Sequence, residues 1–204
     1  MTAEARGPFE PATLRRWVPV GAVAVVVVGV AAMMVARELV SPAPDPPAPA
    51  AAEDSVRFRD AAGGLSISYP TGWERVTSPD PEVRLIAQGE GSSMLVRMTD
   101  LGFEVGAEDL GAAKRLTDKL VRAAGQAKLV RPPRQVALGG LPGYLYLYTF
   151  ADPTTGARGA HAHYFLFRGR TLITIVFQTA PPERLTQLAP LFDRIGESLE
   201  VTSG

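Results

Sequence analysis

The chain has 204 residues, enough for one domain with accessory segments. Its 21 Lys and Arg balance 21 Asp and Glu, so no basic field marks a nucleic-acid partner. There is no cysteine, which removes disulfides, thiolate metal sites, cysteine nucleophiles and a lipid-modified cysteine, and suits an oxidising exterior. Arginine outnumbers lysine 18 to 3 and Ala, Gly, Pro and Val abound, the codon bias of a GC-rich bacterial genome, which concerns source and not function.

Residues 1–16 read as a short cytoplasmic tail, too short to fold alone. The stretch Val18 to Ala36, VPVGAVAVVVVGVAAMMVA, carries no charge. Its nineteen residues make roughly 28 Å of helix, close to the hydrocarbon thickness of a bilayer. Arg15 and Arg16 precede it and Trp17 stands at the interfacial level, so a transmembrane anchor is expected over 17–37 with its N-terminus cytoplasmic. A cleaved signal would have a shorter apolar core and a nearby small-x-small site. Here Arg37-Glu38 follow the run directly, and Ala48-Pro49-Ala50 is distant and contains proline. Residues 38–54, with SPAPDPPAPAAAED from Ser41, read as an extended Pro/Ala linker.

Residues 55–204 change to short alternating segments with turn signals, and their 17 basic residues nearly match 15 acidic ones. Val56–Arg59 and Leu65–Tyr69 are expected as a hairpin, as are Val83–Gln88 and Ser93–Asp100 around Gly89-Glu90-Gly91. Glu108–Ala124 has helical spacing, with Leu110, Ala113, Thr117, Leu120, Val121 and Ala124 on one face and Gly125 as its stop. Arg134–Leu138 and Tyr144–Phe150 flank a glycine-rich step, and Gly159–Phe167 and Thr171–Gln178 meet at a tight Arg168-Gly169-Arg170 turn. A final helix is expected over Pro182–Gln187 and Pro190–Leu199, interrupted or restarted at Pro190. Hairpin succession makes the sheet mainly antiparallel, and the two amphipathic helices can cover it.

Two groups of side chains are candidates for chemistry. His161 and His163 share one face of a strand, so two imidazoles could grip one cation, with a third ligand drawn from a distant Asp or Glu. The alternative is a pair of partly exposed strand histidines near a loop. Tyr144, Tyr146 and Tyr148 form an aromatic stripe of period two, a core surface or, if left uncovered, a binding surface. Ser92 and Ser93 lack a Gly-x-Ser-x-Gly elbow and triad partners, and no phosphate-binding loop occurs.

The stretch GLSISYPTGWERV, Gly64 to Val76, places Gly-Leu-x-Ile-x-Tyr-Pro-x-Gly-Trp at the end of a strand. With the mid-chain helix, the Gly-Leu-Pro-Gly step at Gly140–Gly143 and the last helix, it resembles the PsbP-like superfamily, which includes DcrB-type and LpqN-like proteins, over about Val56 to Val201. Pro70 ends the strand because it cannot donate to a ladder, Gly72 lets the chain turn, and Trp73 folds back as a plug. The resemblance implies an α+β fold, an α/β/α sandwich with a central, mainly antiparallel sheet flanked by helices. It carries no catalytic residues and no cofactor, since such proteins mostly bind or help assemble others. The sequence thus reads as a membrane-anchored extracytoplasmic binding or assembly module of the bacterial envelope, held in the bilayer by residues 18–36, with an envelope protein as partner and no enzymatic activity. A small-ligand or metal-binding envelope protein, and a chaperone or adaptor for secreted proteins, are the alternatives.

Overall fold

Alternation of apolar and polar residues drives most of this chain into strands, and their pairing was followed in a computed structural model that describes residues 54–123, 127–152 and 155–202. The anticipated tail, anchor and linker over residues 1–53 lie outside the described residues. Among the described residues no helix is long and apolar enough to cross a membrane.

The first hairpin forms as expected, β1 (Ser55–Asp60) against β2 (Leu65–Pro70). It does not join the main sheet. It builds a separate three-stranded sheet with β10 (Glu200–Val201), which pairs on the other side of β2. The main sheet contains β3 (Glu74–Arg75), β4 (Val83–Gly89), β5 (Ser92–Val105), β6 (Lys128–Leu129), β7 (Arg134–Leu138), β8 (Leu141–Ala151) and β9 (Arg158–Thr179). Its order is β3-β4-β5-β9-β8-β6, with β7 also on β8, and every pair is antiparallel.

β9 is one extended run that doubles back at Arg168-Gly169-Arg170, where Gly169 takes φ +53°. Tyr164 and Phe177 rings lie 6.1 Å apart, which a straight strand would forbid. Its first arm pairs with β8 and its second with β5, so the expected tight hairpin forms the middle of the sheet. The step before β8 turns on Gly139 and Gly140, both at positive φ, and Leu141-Pro142-Gly143 belongs to the strand rather than to the loop.

A 3-10 turn at Ala107–Asp109 leads into α1 (Leu110–Ala123), shorter than the expected Glu108–Ala124 because its first turn is 3-10. Ala124 and Gly125 lie outside the described residues. Ala113, Thr117 and Val121 are buried against Tyr144, Tyr146, Tyr148 and Phe165, while Leu110 and Leu120 pack at the rim. The expected last helix is two pieces, α2 (Arg184–Gln187) and α3 (Ala189–Glu197), and Pro190 opens the second. On the opposite sheet face, Phe192 and Ile195 of α3 share the larger core with Leu65, Ile67 and Tyr69 of β2 and with Met94, Val96, Ile173, Ile175 and Phe177. That face is therefore covered by a small sheet and a helix together, where helices alone were expected. The reason is β2, whose Leu65, Ile67 and Tyr69 all point inward while β1 shields its outer edge.

The Pro70–Trp73 corner follows the expected logic with one change. The Trp73 amide donates to Pro70 O at 2.9 Å, and the indole packs on the larger core. It lies flat enough on Gly89 that a Cβ there would meet Trp73 Cδ1 at 2.8 Å. Gly72, by contrast, has open space and no positive φ. The glycine that this corner requires is therefore Gly89, on the neighbouring strand.

In urea denaturation followed by far-UV circular dichroism, Trp73→Ala is expected to cost about 2 kcal/mol. Gly72→Ala should fall within about 0.5 kcal/mol of the parent, or stabilise slightly by restricting the unfolded chain. Gly143→Ala should cost more than either, because the backbone of Phe165 and Leu166 occupies the place of its Cβ. Equal midpoints for all three would contradict this packing.

Candidate functional site

The tyrosine stripe of β8 lies under α1, and Tyr144, Tyr146 and Tyr148 are all buried. A buried phenol needs a hydrogen-bond partner, and each hydroxyl here has one. Tyr144 donates to Leu110 O at the start of α1, at 3.0 Å. Tyr146 donates to Asp118 Oδ1 at 2.7 Å, in the middle of the helix, and Thr117 Oγ1 lies 2.7 Å from the same hydroxyl. Tyr148, furthest along the strand, reaches the two histidines. The stripe is thus the floor on which α1 rests.

Asp118 holds this dock together. Burial alone would raise its carboxyl pKa, but hydrogen bonds from Lys114 and Tyr146 outweigh that and hold it below the usual carboxylate range. Lys114, one turn earlier, donates to both carboxylate oxygens at 3.0 and 2.8 Å. Burial and the Asp118 acceptor keep the Tyr146 phenol well above its ordinary value, so it stays a donor.

His161 and His163 sit on the first arm of β9 and are 1% and 4% exposed, not at the surface as the plain strand reading had them. Both Nδ1 atoms lie 2.9 Å from the Tyr148 oxygen. His161 Nε2 lies 2.7 Å from Gln178 Oε1, on the other arm of β9. His163 stacks on Phe165 at 4.0 Å between ring centres, and Phe150 lies over His161 at 4.5 Å.

These contacts fix the protons. A carbonyl oxygen only accepts, so His161 carries its proton on Nε2 and donates to Gln178. Its bare Nδ1 then accepts from the Tyr148 hydroxyl, whose oxygen accepts in turn from Nδ1–H of His163. The bonds run in one direction from His163 to Gln178, and His163 Nε2 is left as a lone-pair acceptor. That nitrogen and Gln178 Nε2 are buried with no hydrogen-bond partner among the described residues. Burial, with only the Gln178 bond opposing it, lowers the His161 pKa to about 4. Burial and the neighbouring imidazole push His163 well below its ordinary value too.

The pair belongs to a longer row. Gln88 stands opposite Ser93, Ser93 opposite Gln178, and His161 opposite Tyr148, so one polar line crosses β4, β5, both arms of β9 and β8. Ser93 is buried within it, and Ser92 donates to Gly89 O at 2.8 Å, so neither serine presents a nucleophile. Gln178 escaped the sequence reading. The signal was available: folding Gly159–Phe167 against Thr171–Gln178 about Gly169 brings a glutamine beside the first histidine. Among the described residues no group of three or more His, Asp or Glu is placed to hold a metal ion. Both Nδ1 atoms are already turned on the Tyr148 hydroxyl, and two imidazoles with a phenol fall short of the four ligands of a structural zinc.

Two outcomes are expected for the histidine layer. Burial depresses both imidazole pKa values, so below pH 6.5 the unfolded chain binds protons that the folded chain does not. Stability is therefore highest above pH 6.5 and falls as pH drops towards about 4, by on the order of 3 kcal/mol for His161. Urea midpoints across this window should fall less steeply in His161→Gln than in the parent, and an unchanged pH slope would contradict the assignment. Tyr148→Phe leaves two buried Nδ1 atoms unpaired and should cost about 2 kcal/mol near neutral pH.

No family model matches the chain, and no curated protein matches it in sequence. Solved structures do match in fold. The cyanobacterial PsbP of Synechocystis sp. PCC 6803 (CyanoP) superposes with a TM-score of 0.53 at 19% identity, covering 78% of this chain and 98% of that one. LpqN of Mycobacterium tuberculosis, described as involved in cell envelope biogenesis, gives 0.54 at 9% identity, over 74% of this chain and 91% of its own. The Saccharomyces cerevisiae Ran-binding protein Mog1p gives 0.50 at 11% identity, over 74% and 96%. The domain, with its central antiparallel sheet, accordingly has the fold that these PsbP-like structures share.

Proposed function

We propose that the chain is a single-pass envelope protein, with a cytoplasmic N-terminus, a bilayer segment at residues 18–36, and its PsbP-like domain outside. The domain is a non-enzymatic binding or assembly module that acts on an envelope protein partner. The observation that carries this reading is the likeness to LpqN, a protein involved in cell envelope biogenesis. That envelope role is carried over here because residues 18–36 lack any charge and a Pro/Ala linker follows them. The side chains best suited to acid–base chemistry support a binding role. The chain has only two histidines, and both are enclosed and bonded to Tyr148 rather than turned to solvent.

A second reading, a small-ligand or metal-binding envelope protein, draws on one observation. The Nε2 atoms of His163 and Gln178 have no hydrogen-bond partner among the described residues, and a group entering beneath α1 would satisfy them. Native mass spectrometry of the protein purified without chelator separates the two readings. The binding-module reading expects the mass of the bare chain, and a stoichiometric adduct lost in His163→Gln favours the second.

The topology has its own test. Protease added to intact spheroplasts should digest residues 55–204 and leave a fragment containing residues 18–36 in the membrane. A domain protected until the cells are lysed would contradict the extracytoplasmic placement and favour a chaperone or adaptor acting in the cytoplasm.

A further inference from the structure

The chain from Lys119 to Ala151 contains five basic residues, Lys119, Arg122, Lys128, Arg131 and Arg134 among them, and no acidic one. Three of these cations fall on one edge of the main sheet. β6 is the terminal strand, and β7 follows it along the same side of β8. Lys128, Arg131 and Arg134 are exposed there and pair with no carboxylate among the described residues. Between them stand Leu129 and Val130, 51% and 60% exposed. A lone exposed apolar residue is ordinary, but two adjacent ones bracketed by unpaired cations are not.

The β6 part of this edge lies at the end of the domain where the described chain begins, and Arg134, opposite Leu145, stands further along β8. Lys128 is opposite Thr149, and Thr149 is opposite Ala160. Gly159 abuts Thr179 O, Thr179 is opposite Ser92, and Ser92 is opposite Gly89. Trp73 covers Gly89 and bonds to Pro70, which is the partner of Ser55. Residues 18–36 therefore join the domain through a linker that enters at this end. The exposed Phe103 sits on the stretch of β5 that reaches the Gly169 turn, at the far end.

We infer that the Lys128–Arg134 rim rests on the anionic surface of the bilayer in which the chain is anchored, with Leu129 and Val130 entering the headgroup region and the three cations pairing with lipid phosphates. The inference builds on the anchored topology proposed above. Basic side chains beside an anionic membrane each contribute roughly 1 kcal/mol, and short apolar side chains among them deepen the contact. Addition of a partner's strand is the competing use of an exposed edge. It is poorly served here, because β6 has two residues and Pro132-Pro133 interrupt the edge before β7. Pairing with a second copy would set two such basic edges against each other.

The absence of cysteine makes the test direct. Full-length chain carrying Val130→Cys, labelled with an environment-sensitive fluorophore, is reconstituted into vesicles of phosphatidylcholine alone or of an equimolar mixture with phosphatidylglycerol, each with brominated acyl chains as quenchers. Quenching at position 130 should appear in the mixed vesicles and be weak in phosphatidylcholine alone. The same label at Phe103→Cys should stay unquenched in both. Each of Lys128→Gln, Arg131→Gln and Arg134→Gln should lower occupancy of the bound orientation about fivefold. No quenching at position 130, equal quenching at 103, or quenching indifferent to phosphatidylglycerol would overturn the inference. A lipid-independent crosslink from Lys128 to a protein would overturn it in favour of strand addition. Extraction of the same vesicles at alkaline pH reports on the anchor separately: a chain that washes off defeats the topology, and one that stays without quenching at 130 defeats only the rim.

Discussion

A phenol hydroxyl placed under a helix must be hydrogen-bonded there, since an unpaired buried donor costs about 1–3 kcal/mol. This domain places three such hydroxyls in a row along β8, and much of its architecture follows from how they are satisfied. Tyr144 meets the first carbonyl of α1, Tyr146 meets Asp118 in its middle, and Tyr148 meets both histidines. The first two bonds set where α1 lies along the sheet and how it is rotated. The third ties β8 to the first arm of β9, and Gln178 carries the tie on to the second arm. An apolar face would have held the helix without fixing its register; the hydroxyls give it one position.

The same constraint explains why the histidines are poor candidates for chemistry. An imidazole acts as a general base or a metal ligand through a nitrogen that is free and reachable. Three of the four ring nitrogens here are bonded within the sheet layer, and the fourth is enclosed. The energetic consequence is a preference for the neutral forms, and so a fold that weakens in acid. What remains available for recognition is the outside of the domain, above all its edges.

Much of this was legible in the sequence because local periodicity and local packing agree. The face Leu110, Ala113, Thr117, Leu120, Val121 of α1 was readable from 3.6-residue spacing, and it is the face that packs. The hairpin at Gly169 was readable from Arg-Gly-Arg between two apolar runs. Other features depend on distant chain and leave little local mark. β3, β6 and β10 are two residues each and exist only because a longer neighbour offers them a ladder. Segregation of β1 and β2 into their own sheet turns on β10, some 140 residues away, and nothing in a hairpin's own pattern says which sheet it will join. The histidine pair was visible as a motif, yet its meaning lay in Tyr148 and Gln178, which only the antiparallel register brings to it.

The central proposal is that this domain serves by binding another envelope protein while its buried polar row is structural. Crosslinking of the full-length chain in its native membrane, followed by mass spectrometry of the linked peptides, tests that claim most directly. The account predicts one dominant protein partner linked through residues 55–204. Contradiction would be the absence of any partner across crosslinker lengths, together with a small molecule or metal bound in stoichiometric amount to the natively purified chain.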